Sequence, residues 1–428
     1  MDKIKIIKII REISLFIFVL TTIFPEFSSK IIAIPSILIW LLMNLLIDRK
    51  KFFEFFIKPN LMMYSIYFWI LTNMIYIITG YSPDLKLYLT NYIRIALTSI
   101  IYLYYAKTEE KTSMKKIVIY SIIIIMIVNI ITIIANLRHY NISRLLSTPE
   151  TLNINTFGVG SYFYIYGLIY PIMILIAYLI RNIKKIQESN YIITTEIILC
   201  IIISIYTIYI TEFLIAIALL FFGLLLIILK IDNAKKFIKY VFIMIITVII
   251  LSPLLSFTFK TIAEKTDSHN YKIRAEDMHT FFSTGNIDNT VDLKERVEVY
   301  AKSIESFVSH PLLGTEGTKD TDVSIGKHST ILDQLGKYGL IGSIPFLFFI
   351  YALYKETFKT FNNPWSKRIY INCLIVFSIF IIINTSLFVS IFYMVFAMSP
   401  MMLKIFDEYE LVKNESKGEA NDENTLDC

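Results

Sequence analysis

Long runs of apolar residues, separated by short polar connections, make up most of this chain. Runs of roughly 20 apolar residues are long enough to cross the hydrocarbon core of a bilayer as helices. The pattern therefore predicts an all-α integral membrane protein with about twelve transmembrane helices. The predicted spans lie near residues 9–24, 31–47, 61–79, 87–106, 117–137, 158–180, 192–210, 213–229, 238–257, 335–354, 369–384 and 387–402.

The positions of lysine and arginine predict the topology. Short cytoplasmic connections carry an excess of these residues, and placing both termini in the cytoplasm puts most of them inside. The apolar start of the chain lacks a small-residue cleavage site, so it is interpreted as a retained first span. The predicted domains are transmembrane helices 1–9 over residues 1–257, a large extracytoplasmic loop over 258–334, transmembrane helices 10–12 over 335–404 and a disordered cytoplasmic tail over 405–428.

The large loop contains a pattern typical of a short amphipathic helix. From Leu293 onward, apolar residues recur at the spacing of one helical face. Asp292 and Glu295 are expected to cap the start of this helix, and Pro311 is expected to end it. A helix of this kind outside the bilayer is expected to lie along the membrane surface or to roof a cavity.

Composition excludes several functions. The chain is 56% hydrophobic, and its net charge of +6 lies in connections rather than in a basic stripe, so no nucleic-acid partner is expected. Its three cysteines form neither a disulfide framework nor a metal cluster. There is no glycine-rich phosphate loop, and the pair Asp320 and Asp322 is interpreted as a solvated loop. We therefore expect no metal and no cofactor.

Several basic residues could carry chemistry at the outer face. Arg94 lies about two turns into a predicted span, where a cation is costly unless it snorkels to the interface or binds an anion. Anion binding is favoured, because a guanidinium can hold a phosphate with two parallel hydrogen bonds. Arg138, His139 and Arg144 follow the fifth span and could extend such a cavity or be ordinary interfacial charges.

Two residues of the large loop are further candidates. Arg296 lies beside the apolar face of the loop helix, so it could point into the protein or pair with a nearby acid such as Glu295. His328 precedes the tenth span. Its imidazole titrates near neutral pH and could move a proton to or from a hydroxyl group, although a lone loop histidine is usually incidental.

The segment from Arg296 resembles the O-antigen ligase and O-antigen polymerase superfamily. An arginine opens a helix, the run His310–Gly314 and Gly317 follow, and His328 precedes a span that begins with Gly339–Gly342. The remainder agrees more loosely, through the number of spans and a tight hairpin of two spans near Thr211. Members of the superfamily often carry Ser-Arg at the tip of that hairpin, whereas this chain has Thr-Glu there.

This resemblance implies a GT-C-like fold and a membrane glycosyltransferase of the bacterial cytoplasmic (inner) membrane. The implied function is polymerisation of undecaprenyl-diphosphate-linked repeat units of a surface polysaccharide, either O-antigen or capsule. The alternatives are an O-antigen ligase, which moves finished polymer to the lipid A core of lipopolysaccharide, and a transporter or flippase. The expected partners are the lipid-linked glycan donor and acceptor, the bilayer, a chain-length regulator and a flippase.

The resemblance also assigns roles to residues. His328 is the expected catalytic base, and two carboxylates are its possible substitutes, Glu316 and Glu212. By position, Arg296 is expected to bind the diphosphate. Because the hairpin arginine is missing, either Arg94, Arg138 or Arg144 supplies its charge, or the chain binds its donor differently. Positioned arginines would stabilise charge on the leaving diphosphate, and the base would deprotonate the attacking hydroxyl group.

Overall fold

The computed structural model describes residues 3–24, 30–58, 60–79, 85–146, 156–182, 191–231, 234–266, 269–318, 325, 328–385 and 387–408. Within these ranges the chain is almost entirely helical and contains no strand. The helices are α1 (Lys3–Ile23), α2 (Lys30–Ile47), α3 (Arg49–Phe56), α4 (Leu61–Ile78), α5 (Leu85–Thr108), α6 (Lys111–Arg138), α7 (Ile142–Leu145), α8 (Tyr162–Asn182), α9 (Tyr191–Ile210), α10 (Leu214–Ile228), α11 (Ala234–Lys265), α12 (His269–Thr284), α13 (Asp292–Ser309), α14 (Gly314–Thr318), α15 (Thr330–Lys359), α16 (Pro364–Ile383) and α17 (Val389–Tyr393). A π-helical segment, Met394–Met398, continues α17, and the helix then runs to Glu408.

Seven helices of the described chain are long and apolar enough to cross a bilayer. They are α4, α6, α8, α11 over Ile238–Lys265, α15, α16 and the last helix over Val389–Glu408. Three shorter apolar helices occur at Ile32–Ile47, Thr194–Ile210 and Leu214–Ile228. The chain is therefore a helical, multi-pass membrane protein, as predicted, whereas the count of twelve spans stays a prediction.

The centre of the bundle is formed by α8 and the last helix. Both are apolar around their whole circumference, which is typical of helices that have no solvent-facing side. All residues from Tyr164 to Leu175 are buried, and so are the five residues of the π-helical segment. Beside them, the Trp69 ring of α4 stacks on Phe349 of α15, with 4.7 Å between the ring centroids.

The helices α11 and α12 form a hairpin that packs mainly on itself. Phe259 and Phe282 stack with 5.8 Å between ring centroids, and the Ser256 hydroxyl lies 2.8 Å from Nδ1 of His279. Most described side chains of α11 are exposed, among them Ile250 and Phe257. We infer that α11 presents its apolar surface to lipid.

The loop helix occurs as predicted, but its cap does not. The structure begins α13 at Asp292, with no side-chain cap from Val291. Instead, the Asp277 carboxylate of α12 accepts hydrogen bonds from the backbone N–H groups of Val291, Asp292 and Leu293, at 2.8, 2.8 and 3.3 Å. Asp292 itself pairs with Arg274, so the predicted capping role of Asp292 and Glu295 is wrong. A cap supplied by a preceding helix has no local sequence signature.

The predicted apolar face of α13 is not the face that packs on the protein. Val297, Ile304 and Val308 are 47%, 49% and 70% exposed, whereas Ser303 and Ser306 are buried. These small residues let α13 approach α15 closely, and the Ser303 hydroxyl donates to Asp333 at 3.0 Å. The apolar face therefore points away from the bundle, as on a helix that lies in a membrane interface.

A sharp kink interrupts α15 at Gly339, whose φ of 58° lies in the left-handed region. The kink turns two backbone N–H groups toward the loop that follows α13, and Leu340 and Ile341 donate to the carbonyls of Pro311 and Leu312, at 2.9 and 3.1 Å. Gly314, with φ of 70°, lies against the backbone of α15 at this point. Two glycines thus allow a backbone-to-backbone contact between loop and helix.

Segments predicted to be cytoplasmic meet at one end of the bundle, which we call the inner end. Arg11 of α1 is 2% exposed there. Its guanidinium pairs with Glu110 at 2.6 Å and donates to Asn44 and Ser113, at 3.2 and 3.0 Å. The guanidinium also lies over the Tyr105 ring. This buried network joins α1, α2, α5 and α6.

The last helix ends at the same inner end. Asp407 accepts hydrogen bonds from Asn363 and Ser366, both at 2.7 Å, and lies 3.8 Å from Arg181. The helix continues through residues 405–408, which the sequence assigns to a disordered tail, because their turn is held by these contacts. Residues 409–428 of the predicted tail, together with Asp320 and Asp322, lie outside the described residues.

Candidate anion-binding site

Three arginines from separate helices converge at the opposite end, which we call the outer end. They are Arg144 of α7, Arg274 of α12 and Arg296 of α13, and all three lie within electrostatic reach of Tyr166 on α8. Like charges gather in this way only where the fold imposes it or an anion compensates them. The convergence therefore marks a candidate binding site for an anion, which we call the arginine cluster.

Contacts within the backbone and between helices fix the position of each arginine. Arg144 follows Asn141, which has a φ of 61°, and the turn is held by Asn136, whose amide donates to Ser143 at 2.7 Å. Arg274 donates to Asp292 at 3.1 Å. One turn beyond Arg296, the Tyr300 hydroxyl donates to the Ile383 carbonyl at the end of α16, at 2.8 Å.

Two of the three guanidiniums have unused hydrogen-bonding capacity. Nη1 of Arg144 and Nη1 of Arg296 are both buried without a hydrogen-bond partner, and no carboxylate of the described chain lies within ion-pair distance of either group. Burial, followed by repulsion from Arg274, lowers the pKa of Arg144, while Asp292 and Glu212 act in the opposite direction. The negative charge of a bound anion would offset this shift, because it stabilises the charged guanidinium.

His328 lies beside the arginine cluster, next to Arg296. Burial is the largest cause that lowers the pKa of its imidazole, and the charge of Arg296 lowers it further, while Glu295 and Asp333 raise it. The backbone after His328 is fixed because Thr330 donates twice to the Asn384 carbonyl, at 3.1 and 3.0 Å. His328 is therefore neutral at pH 7 and close to a guanidinium.

The structure brings some of the predicted site residues together and separates others. Glu212 lies near Arg144, buried in a left-handed turn with φ of 56°, and accepts a hydrogen bond from Tyr140 at 2.9 Å. Glu316 lies in α14 and, within the described ranges, makes no hydrogen bond or ion pair with the cluster. Arg138 is exposed at the end of α6. Arg94 lies in a separate cavity.

Arg274 and Tyr166 were missed by the sequence analysis. Arg274 lies in a polar stretch of the predicted large loop, where the sequence analysis predicts no helix and the structure has α12. Ile273, Asp277 and Thr280 have the spacing of one helical face. The stretch is too polar, however, for this spacing to form an apolar pattern that predicts a helix. Tyr166 lies within a continuous apolar run, in which no local signal distinguishes a site-facing hydroxyl group.

Residues 216–344 match the family model of stage III sporulation protein AF. The matched segment is less than a third of the chain and supplies Arg274, Arg296 and His328 to the candidate site. Arg144 and Arg94 lie outside it. No curated protein matches the chain.

This finding overturns the resemblance to the O-antigen ligase and polymerase superfamily. The residues that suggested it, Arg296, His310–Gly314, His328 and Gly339–Gly342, all lie in the segment that matches the sporulation family. The predicted polymerisation of lipid-linked repeat units is therefore wrong, and the ligase and flippase alternatives have no support. The associated assignments to O-antigen, capsule, lipopolysaccharide, polysaccharide and glycosyltransferase conflict with the matched family.

Proposed function

We propose that this chain is a multi-pass protein of a bacterial cytoplasmic membrane, acts during sporulation and binds a phosphate-bearing anion at its arginine cluster. The sporulation role rests on the match over residues 216–344. The observation that carries the binding function is the pair of buried, unpartnered Nη1 atoms of Arg144 and Arg296. A guanidinium remains charged when buried, so an unpaired one at a wet end of a bundle favours an anionic ligand.

The proposal includes twelve spans with both termini in the cytoplasm. The seven long apolar helices and three shorter ones provide most of these spans. The inner end gathers the basic connections near Arg11, Lys107, Lys111 and Arg181, as the positive-inside rule requires. The arginine cluster then faces the extracytoplasmic side, where an anionic ligand can reach it without crossing the bilayer.

Phosphate fits the cluster better than a single carboxylate. Phosphate groups carry several acceptor oxygens and can receive parallel hydrogen bonds from two guanidiniums at once. Arg274 is already engaged by Asp292 and adds charge rather than a free donor. Arg144 and Arg296 are thus the expected direct ligands.

Replacing either direct ligand with glutamine should weaken anion binding roughly tenfold to a hundredfold, the loss expected for one charge-assisted hydrogen bond. The measurement is calorimetric titration of the purified full chain with inorganic pyrophosphate, for Arg144→Gln and Arg296→Gln. Arg138→Gln is the matched control, since Arg138 is an exposed arginine of the same end. An equal loss in Arg138→Gln, or no binding by the unsubstituted chain, would refute the proposal.

His328 should make binding depend on pH. Lowering the pH from about 7.5 to well below the ordinary histidine pKa of about 6.5 favours protonation of the imidazole. Protonation adds a cation beside Arg296 and should tighten pyrophosphate binding several-fold. In the absence of ligand, the same fall in pH should instead destabilise the folded chain. A histidine with a lowered pKa in the folded state contributes its stability above its unfolded pKa of about 6.5, and that stability is lost as the pH falls.

The matched variant for this prediction is His328→Gln, which keeps a polar side chain but cannot be protonated. Its affinity and its thermal stability should both change less over the same pH interval than those of the unsubstituted chain. Identical pH profiles would remove His328 from the site. Catalysis by His328, which was expected from the sequence, stays a prediction.

A further inference from the structure

A second cavity opens at the outer end, around Arg94. It has a volume of about 530 Å³ and lies among the ends of α1, α5, α8 and the last helix. Arg94 lines it and is only 5% exposed. Polar side chains of Asn91, Ser161 and Ser390 share the wall with the aromatic rings of Phe163 and Phe388.

Within the described ranges, Arg94 lacks a counter-ion. Its Nε atom is buried without a hydrogen-bond partner, and no carboxylate of the described chain lies within ion-pair distance of its guanidinium. Among the residues that the structure describes, no aspartate or glutamate lines the cavity. An arginine cannot escape this cost by releasing its proton, because its pKa is too high. An anion that enters the cavity would compensate this charge.

This cavity is distinct from the arginine cluster. None of Arg144, Arg274 and Arg296 lines it. On α8, Phe163 and Tyr164 face the cavity, whereas Tyr162 and Tyr166 lie within electrostatic reach of Arg296. Tyr162 and Tyr166 are four residues apart and share one face of α8, whereas Phe163 and Tyr164 lie on another face. The helix α8 therefore separates the two sites.

We propose that the Arg94 cavity binds the phosphate headgroup of a singly charged anionic amphiphile. One unpaired guanidinium matches one negative charge, and the hydroxyl and amide groups of the wall can take up the remaining headgroup oxygens. The aromatic wall would contact the apolar part of the ligand. The volume is within the range of pockets that hold small organic ligands and exceeds what inorganic phosphate needs. This site does not depend on the function proposed for the cluster.

Thermal unfolding of the full chain in neutral detergent, followed by fluorescence of its three tryptophans, tests the proposal. Saturating inorganic pyrophosphate is present throughout, so that the arginine cluster is already occupied and further stabilisation reports on the Arg94 cavity. Dihexanoyl phosphatidylglycerol, a short-chain anionic lipid, should raise the unfolding temperature, since a ligand of the folded state stabilises it by mass action. Dihexanoyl phosphatidylcholine, which has no net charge, should raise it much less. Inorganic phosphate, which has no apolar part, should also raise it much less.

Arg94→Gln should abolish the response to the anionic lipid without lowering the unfolding temperature of the ligand-free chain, because it removes an uncompensated charge. Ser390→Asp should also abolish the response to the anionic lipid, because it supplies an internal counter-ion. Ser390→Asn, which adds no charge, should keep the response. Arg138→Gln and Arg144→Gln should both respond like the unsubstituted chain, which separates this test from that of the cluster.

A full response in Arg94→Gln would overturn the proposal. So would equal responses to the anionic and the neutral lipid, since charge would then play no part. An equal response to inorganic phosphate would overturn the proposal that the ligand is an amphiphile. The cavity would then be a site for a small anion. If Arg94→Gln does not fold, the comparison of Ser390→Asp with Ser390→Asn decides between the outcomes in the same way.

Discussion

Replacing Arg11 with methionine is expected to lower the free energy of unfolding by about 3 kcal/mol. The guanidinium is buried against Glu110, Asn44 and Ser113. Its removal leaves the Glu110 carboxylate, which is 28% exposed, without its cation. The loss should be visible as a large fall in the unfolding temperature of the chain in neutral detergent.

Two variants show whether this fall comes from the lost ion pair. Lys50→Met removes an exposed basic residue from the same end and should change stability by less than about 0.5 kcal/mol. Combining Arg11→Met with Glu110→Met removes both charges and should recover part of the loss, because replacing a whole ion pair with apolar groups is often nearly neutral. If the stability losses of the two single variants simply add in the double variant, the ion pair makes no specific contribution to stability.

Gly339→Ala is expected to be the other strongly destabilising substitution, costing about 3 kcal/mol. Two effects combine: a left-handed backbone conformation costs an alanine roughly 1 kcal/mol or more, and the new methyl group would collide with the Leu312 carbonyl. Gly314→Ala should behave similarly, since its methyl group would meet the Lys337 backbone. In either variant, the contact between the loop and α15 would then be lost.

Gly285 provides the matched control. Its φ of 67° is similar, but nothing lies within 4 Å of the position that a Cβ atom would occupy. Gly285→Ala should therefore cost only the backbone term, about 1 kcal/mol. If Gly339→Ala and Gly285→Ala lower the unfolding temperature equally, the close backbone approach at the kink contributes nothing and its proposed importance is wrong.

The sequence predicted the helices well because apolar runs of span length leave few alternatives in a bilayer. It did not predict the network of Arg11, because a basic residue near a terminus looks the same whether it is buried or solvated. It predicted a loop helix from Leu293 onward that Pro311 ends, and the structure has α13 over Asp292–Ser309. It chose the wrong packed face, because the contact with α15 depends on small residues rather than on apolar ones.

The motif that suggested a glycan-transferring enzyme now has a structural explanation. Gly314 and Gly339 are needed for the close contact between loop and kink, and Tyr76 donates to the Tyr338 carbonyl beside it, at 2.8 Å. These residues attach a loop to a helix, and unrelated proteins can share that structural requirement. Of the predicted site residues, Arg296 and His328 lie near each other because α13 and the start of α15 pack together.

The Asp277 carboxylate has a mechanical consequence for the arginine cluster. By holding three backbone N–H groups of α13, it joins α12 and α13 into one rigid corner. Arg274 and Arg296 lie on the two arms of that corner, so the corner fixes the spacing of their backbone positions. The ion pair with Asp292 also holds the Arg274 guanidinium. Because α12 packs on α11, we expect a tilt of α11 in a thinner or thicker bilayer to move the backbone positions of both arginines together.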